Sequence, residues 1–309
     1  MVGKYNGLLR KRLIFVAKVA ITFVFFVFIL KKVDVVHLVS SFSFSHLPLL
    51  LVSLCLVPVY VVLKAWKWHI IVCRKNSHHF SISVKSYMAG LVGGLITPGR
   101  LGEVSRVFFL PPDKRLNYIP LVFFDKLLEL IAVIVLALYG TRHFAGDIVF
   151  GIILAGIILL IAFLFDKNLR LFLFRLAGRC FSRKIIKEQI ENIRDMLRDQ
   201  PMYRLLMITF ISYAIVLVQF YLFVSLHSSV SLVVIFLVVP IMMLSSAVPF
   251  TISGLGIREA AGMVLLATFG IPYYVAIQAS LLLFLFDSVF PACIGAVIFL
   301  RGKNHEQAV

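Results

Sequence analysis

Apolar residues gather along this chain in runs longer than one face of a water-soluble fold requires. Six of them, residues 13–30, 47–63, 119–139, 148–165, 205–226 and 275–300, come close to the about 20 mostly apolar residues that a helix needs to cross hydrocarbon. Only helices and closed barrels satisfy the backbone in lipid, and runs of this length predict helices. The fold expected is all-α, a polytopic integral membrane protein.

Two further apolar segments, residues 84–110 and 230–270, are interrupted in the middle. The first contains "SYMAGLVGGLITPGRLGEVSRVFFL" and the second "IMMLSSAVPFTISGLGIREAAGMVLL". Each has small residues, a proline, a glycine pair, and then arginine and glutamate in a possible second helix. The apolar stretch before Pro98 is about 12 residues, or roughly 18 Å of helix, against a hydrocarbon thickness of roughly 30 Å. A helix that breaks at membrane depth needs its freed backbone groups to face protein or a water-filled cavity. Both segments are therefore expected to be re-entrant or broken helical hairpins. Pro98, Gly99 and Gly102 mark the first break, and Pro249, Gly254 and Gly256 the second. Residues 230–248 are long enough to span alone, so the second segment keeps that alternative.

Two spans, a hairpin and a further span then occur twice, over residues of about 1–140 and 147–301 in one membrane domain. The first unit starts inside and ends outside, and the second does the reverse, which is the arrangement of an inverted repeat. Residues 166–204 alternate charge with Ile186, Ile190, Ile193 and Leu197, the spacing of an amphipathic helix at the cytoplasmic surface or of a solvated linker helix.

Composition sharpens the picture. Apolar residues make up 61% of 309 positions and charged ones 15%, with a formal charge of +17. In a membrane protein basic residues first report which loops face the cytoplasm. Lys4, Arg10, Lys11 and Arg12 precede the first run, Lys64, Lys67, Arg74 and Lys75 follow the second, and residues 166–204 are basic again. That sorting puts both termini in the cytoplasm, makes nucleic acid an unneeded partner, and predicts a multi-pass protein of the cytoplasmic (inner) membrane. Lys18 is expected to snorkel. Cys55, Cys73, Cys180 and Cys293 form no C-x-x-C pair, and the neighbouring His78 and His79 read as a solvated loop, so neither metal nor other cofactor is expected.

The charges that fall within apolar sequence are the candidate site. They are Arg100, Glu103 and Arg106 in the first broken segment, Asp125, Lys126 and Glu129 in a span, Arg258 and Glu259 in the second broken segment, and Asp287 in the last span. An ionised side chain near the bilayer centre costs roughly 2.5–3.5 kcal/mol, so this set belongs in a shared polar interior. Arginine beside the exposed N–H groups of a half-helix suits phosphate. Arg100, Arg106, Lys126 and Arg258 are the candidate substrate-binding cations. Glu103, Asp125, Glu129, Glu259 and Asp287 are candidates to balance them or to carry protons. Two alternatives stand beside these roles: Asp125 and Lys126 as a structural ion pair, and Arg106 as an anchor at the water interface.

At "TPGRLGEVSR" (Thr97 to Arg106), "DK" (Asp125, Lys126) and "SGLGIREAA" (Ser253 to Ala261), the chain resembles the flippase-like family of lysylphosphatidylglycerol synthase transmembrane regions. Many relatives carry arginine after the acidic residue where this chain has Lys126. The resemblance implies an all-helical membrane fold and, in members fused to a synthase, movement of an aminoacylated phospholipid between leaflets. It also implies that a chain ending at Val309 lacks the soluble aminoacyl-transfer domain and does not make that lipid itself.

The function expected is flippase-like transport or binding of an anionic phospholipid or a polyprenyl-phosphate-linked lipid. The alternatives are a non-transporting accessory subunit of a lipid- or glycan-modifying enzyme, or a membrane-embedded transferase. No H-E-x-x-H, G-x-S-x-G or Asp-rich metal motif occurs, so no catalytic residue is assigned and no enzyme activity is expected.

Overall fold

The computed structural model describes residues 46–73, 78–97, 100–111, 118–165, 201–246 and 254–297. The first apolar run, Lys18, Pro98, Gly99, Pro249, Cys180, residues 166–200 and both termini lie outside the described residues. Within them the fold is all-α. It consists of α1 (Leu47–Cys73), α2 (Phe80–Ile96), a 3-10 segment (Leu101–Phe109), α3 (Ile119–Phe165), α4 (Met202–Val224), α5 (Leu232–Ser246), α6 (Ile257–Ala267) and α7 (Tyr273–Phe284). A π turn, Leu285–Val289, carries α7 onward, and the helix is described as far as Val297.

Helices α1, α4 and the extended α7 are each long and apolar enough to cross a bilayer. Their surroundings invert the pattern of a soluble protein. Lys67, Asp125 and Glu259 are fully or almost fully buried, while Leu51, Val62, Phe108, Val264 and Ile148 are exposed. Water would reward the opposite arrangement, and lipid rewards this one.

One apolar cluster joins α1, α2, the 3-10 segment and α3 around Trp68, Ile71, Leu121 and Leu128. A second joins α4 to α7 around Phe220, Phe223, Met242, Leu266 and Ala276. Tyr60 and Phe286 pack against both clusters, which makes them the apolar seam between the halves. The halves also meet where α3 crosses α5. A Cβ built on Gly140 would lie 2.1 Å from the Leu237 carbonyl oxygen, so only glycine allows that approach.

The structure differs from the sequence expectations in three places. Lys64 and Lys67 do not follow the second run as loop residues; α1 continues to Cys73 and buries both. Helix continues because "HIIVC" behind the lysines is apolar again, and because both lysines find carboxylates. Residues 119–139 and 148–165 are not separated by a loop. They belong to two helices that meet directly at a kink within α3, where Gly146 has non-helical backbone (φ 80°, ψ 178°). Within residues 230–248 the described helix, α5, covers 15 residues, about 22 Å, and residues 247 and 248 lie outside the described residues. The helix before Pro98 is longer than expected, 17 residues or about 25 Å, yet still below roughly 30 Å.

Both broken segments fold back on themselves. In the first, α2 packs along the 3-10 segment. Gly93 and Gly102 lie backbone to backbone, and a Cβ on either would come within 2.2 Å of the other's carbonyl oxygen. Thr97 ties the reversal, its hydroxyl donating to Gly93 O at 2.9 Å and accepting from Gly102 N at 2.6 Å. Ser105 donates to Ala89 O at 2.8 Å. In the second, α6 packs against α5, and Gly254 (φ 77°) leads into α6 in a conformation that suits glycine.

Candidate functional site

In a 3-10 helix residues three apart eclipse one another, so Glu103 and Arg106 project side by side from the first hairpin. The Arg106 guanidinium donates to Glu103 Oε2 and, at 2.7 Å, to Asp125 Oδ2. It lies between two rings, 5.4 Å from the Trp68 centroid and 4.8 Å from that of Tyr87. Trp68 is oriented in turn: its Nε1–H donates to Ser86 Oγ at 2.9 Å, and the Ser86 hydroxyl donates to Arg106 O at 2.8 Å.

Helix α3 supplies Asp125, Lys126 and Glu129. Lys126 pairs with Glu103 at 2.7 Å and with Glu129 at 2.8 Å, and its side chain is 33% exposed, the most open of this group. From α1, Lys67 pairs with Asp125 at 2.7 Å and Glu129 at 3.2 Å, and Lys64 with Glu129 at 2.6 Å. The Lys64 ammonium also faces the rings of Tyr60, at 5.5 Å, and Tyr213, at 5.0 Å. Four cations and three carboxylates therefore form one buried network with a positive surplus. Continuity matters energetically, because a buried charge deprived of its partner costs about 3–5 kcal/mol.

Arg100 stands apart. Its backbone is left-handed (φ 56°, ψ 24°), an uncommon conformation for a residue with a Cβ, and it caps the N-terminus of the 3-10 segment. Its guanidinium donates to Ser288 Oγ at 2.6 Å and makes no ion pair with a carboxylate among the described residues. Ser288 lies in the π turn beside Asp287. Asp287 sits within electrostatic reach of Arg258, Arg100 and Lys64. Its Oδ1, Gln219 Oε1 and Ser53 Oγ are buried without a hydrogen-bond partner among the described residues.

The second hairpin docks on the same final helix. Arg258 donates to Ser280 Oγ at 3.1 Å and to Ser280 O at 2.8 Å, and pairs with Glu259 at 2.9 Å. Glu259 Oε2 accepts from Gly256 N at 2.6 Å and so satisfies the start of α6. Arg258 also faces the Phe284 ring at 5.6 Å.

Of the residues singled out in the sequence, Glu103, Arg106, Asp125, Lys126 and Glu129 are brought together, and Arg100 and Arg258 reach α7 about two turns apart. Gly102 packs the first hairpin, while Gly254 and Gly256 shape the second; Pro98, Gly99 and Pro249 lie outside the described residues. Sequence reasoning missed Lys64, Lys67, Trp68, Tyr60, Tyr213 and Ser288. The available signal was two lysines three apart, hence on one helix face, followed by renewed apolar sequence in place of a polar loop.

No curated protein and no solved structure matches this chain. The family model for the lysylphosphatidylglycerol synthase TM region matches residues 15–295, nearly the whole chain. With an all-helical membrane fold and charges gathered inside it, this protein belongs to the family of the lysylphosphatidylglycerol synthase TM region.

Proposed function

We propose that this protein moves an anionic lipid, a phospholipid or a polyprenyl-phosphate-linked lipid, between the leaflets of the cytoplasmic membrane. The observation that carries the reading is Arg100: a guanidinium at a helix break, in left-handed backbone, held by a hydroxyl and not by a carboxylate among the described residues. A lipid phosphate displaces Ser288 and takes two parallel hydrogen bonds from the guanidinium, the geometry that distinguishes arginine from lysine. The adjoining network's positive surplus favours that anion, and Lys126 is its accessible cation. Arg106 serves as the structural centre of the network, since Glu103, Asp125 and two aromatic rings already enclose it.

Movement follows from the two units rocking as an inverted repeat about α7, where Arg100 and Arg258 are attached through serine hydroxyls. Asp287, within reach of both arginines, supplies the negative charge that the headgroup replaces, or the proton that accompanies it. Both termini lie in the cytoplasm, as the basic segments at each end of the sequence favour.

The test is leaflet exchange in liposomes holding the purified protein and fluorescent anionic, zwitterionic or polyprenyl-phosphate lipids, for wild type, Arg100→Ala and Arg258→Ala. Exchange of one anionic class that Arg100→Ala abolishes, with the variant still folded, supports the reading and identifies the substrate class. Exchange no faster than in protein-free vesicles for every lipid overturns transport and favours a role as a membrane partner of a lipid- or glycan-modifying enzyme.

A further inference from the structure

Away from the charged network, where α1 ends and α2 begins, three metal-ligating side chains converge. His69 and Cys73 are four apart on α1, hence on one face, and His78 approaches from the residues just before α2. Their ligand atoms all lie within 4.8 Å of one another. Cys73 Sγ is 3.3 Å from His69 Nδ1, 3.6 Å from His69 Nε2 and 3.7 Å from His78 Nδ1.

Those separations have a chemical meaning. Zinc in a tetrahedral site takes thiolate sulfur at about 2.3 Å and imidazole nitrogen at about 2.0–2.1 Å, so neighbouring sulfur and nitrogen ligands lie about 3.5 Å apart. A second feature selects the nitrogens. Ser83 Oγ lies 2.9 Å from His69 Nδ1 and 2.8 Å from His78 Nε2. One hydroxyl thus bridges the two rings, and in the tautomers in which it accepts an N–H from each, His69 Nε2 and His78 Nδ1 are the lone-pair nitrogens. They stand 3.6 and 3.7 Å from the sulfur, with His69 Nδ1 at 3.3 Å, so the hydroxyl and not the distance to sulfur distinguishes the His69 nitrogens. Orientation of ligating histidines through their other ring nitrogen is how an outer shell prepares a metal site. Packing holds His69 as well, since its ring meets those of His78 and Phe80 edge to face at 5.5 and 5.4 Å.

We propose that His69, Cys73 and His78 bind a zinc-type divalent cation through one thiolate and two imidazoles, with Ser83 as the group that orients both rings. The donors are nitrogen and sulfur, which suit zinc or cobalt and disfavour magnesium or calcium. Their spacing, H-x3-C-x4-H, falls in the range used by zinc sites, although no pair of cysteines announces it. The three ligands are each half-buried, and a water or an incoming group takes the fourth position. Bound metal clips α1 to the start of α2, the helix whose glycines carry the first hairpin.

The experiment is titration of the purified, reduced protein, free of any histidine tag, with Co(II) and then with Zn(II) as competitor. The expected result is one Co(II) per chain, with a thiolate-to-cobalt charge-transfer band, tetrahedral d–d absorption, and displacement by zinc. Cys73→Ser removes the charge-transfer band, and His69→Gln or His78→Gln weakens binding at least about tenfold. Ser83→Ala weakens it by about 10–100-fold, the cost of losing an outer-shell partner. Cys73→His, which restores a ligand, retains one Co(II) without the thiolate band, so loss of signal in Cys73→Ser is separated from misfolding. His79→Ala binds as wild type does. Absence of the band in folded wild type, or a band that persists in Cys73→Ser, overturns the site.

Discussion

Arg100 Nη2 donates a 2.6 Å hydrogen bond to Ser288 Oγ, joining residues 188 positions apart in the chain. The tip of the first broken segment is thereby attached to the π turn of the last helix. Arg106, six residues further on, makes the opposite kind of contact: two carboxylates bind it and two aromatic rings cover it. Two arginines of one short motif therefore have different physical roles.

That difference predicts separable phenotypes. Arg100→Ala leaves thermal unfolding in detergent close to wild type, because a hydroxyl and not a buried carboxylate loses its partner, and it abolishes exchange of anionic lipid. Arg100→Lys keeps the charge without the fork and restores exchange only in part. Arg106→Ala removes the fully buried guanidinium that Glu103 and Asp125 share, leaves them only Lys126 and Lys67, and lowers stability by about 3–5 kcal/mol. Unfolding curves and exchange rates for the three variants check this.

Lys67 and Asp125 are both buried and 2.7 Å apart. Lys67→Met and Asp125→Leu each cost about 3 kcal/mol, the low end for a broken buried pair, since Asp125 keeps Arg106 and Lys67 keeps Glu129. The double variant costs less than the sum of the two, with a coupling of about 0.5–3 kcal/mol. A double-mutant cycle in thermal or denaturant unfolding measures it.

Gly93→Ala places a Cβ 2.2 Å from Gly102 O, which a backbone atom cannot avoid without separating α2 from the 3-10 segment. Overpacking of this kind costs about 1–3 kcal/mol or more. Gly151→Ala is the control, because a Cβ there meets nothing within 4 Å. Folded yield and melting temperature fall for the first and hold for the second.

A pH effect is expected at the turn after α4. Burial first, and then the neighbouring His46, lowers the pKa of His227 below the usual histidine value. The two rings stand edge to face at 4.9 Å. A base with a depressed folded-state pKa binds fewer protons folded than unfolded, so its contribution is present at neutral pH and is lost as pH falls below about 6.5 toward the folded value. Melting temperature followed from neutral to mildly acidic pH declines in that window, and His227→Phe flattens the decline.

Length and apolarity alone announced a helical membrane protein, because hydrocarbon tolerates so few backbone arrangements that long apolar runs have one reading. The first helix break was legible for the same local reason: α2 ends at Ile96, short of about 30 Å, and the 3-10 segment packs back along it, whereas Pro98 and Pro249 themselves lie outside the described residues. Charges inside apolar sequence were equally plain, since each is costly in lipid wherever it sits. Which charges neutralise one another was not written locally. Lys64 and Lys67 look like the end of a span until Asp125 and Glu129, some sixty residues away, are placed opposite them. The same holds for Ser288, which gains meaning only from Arg100, and for His69, Cys73 and His78, which share an ion-sized space because α1 and α2 meet there. Hydrophobic span is a property of consecutive residues, whereas charge compensation and ligand geometry are properties of distances between helices, and only packing sets those.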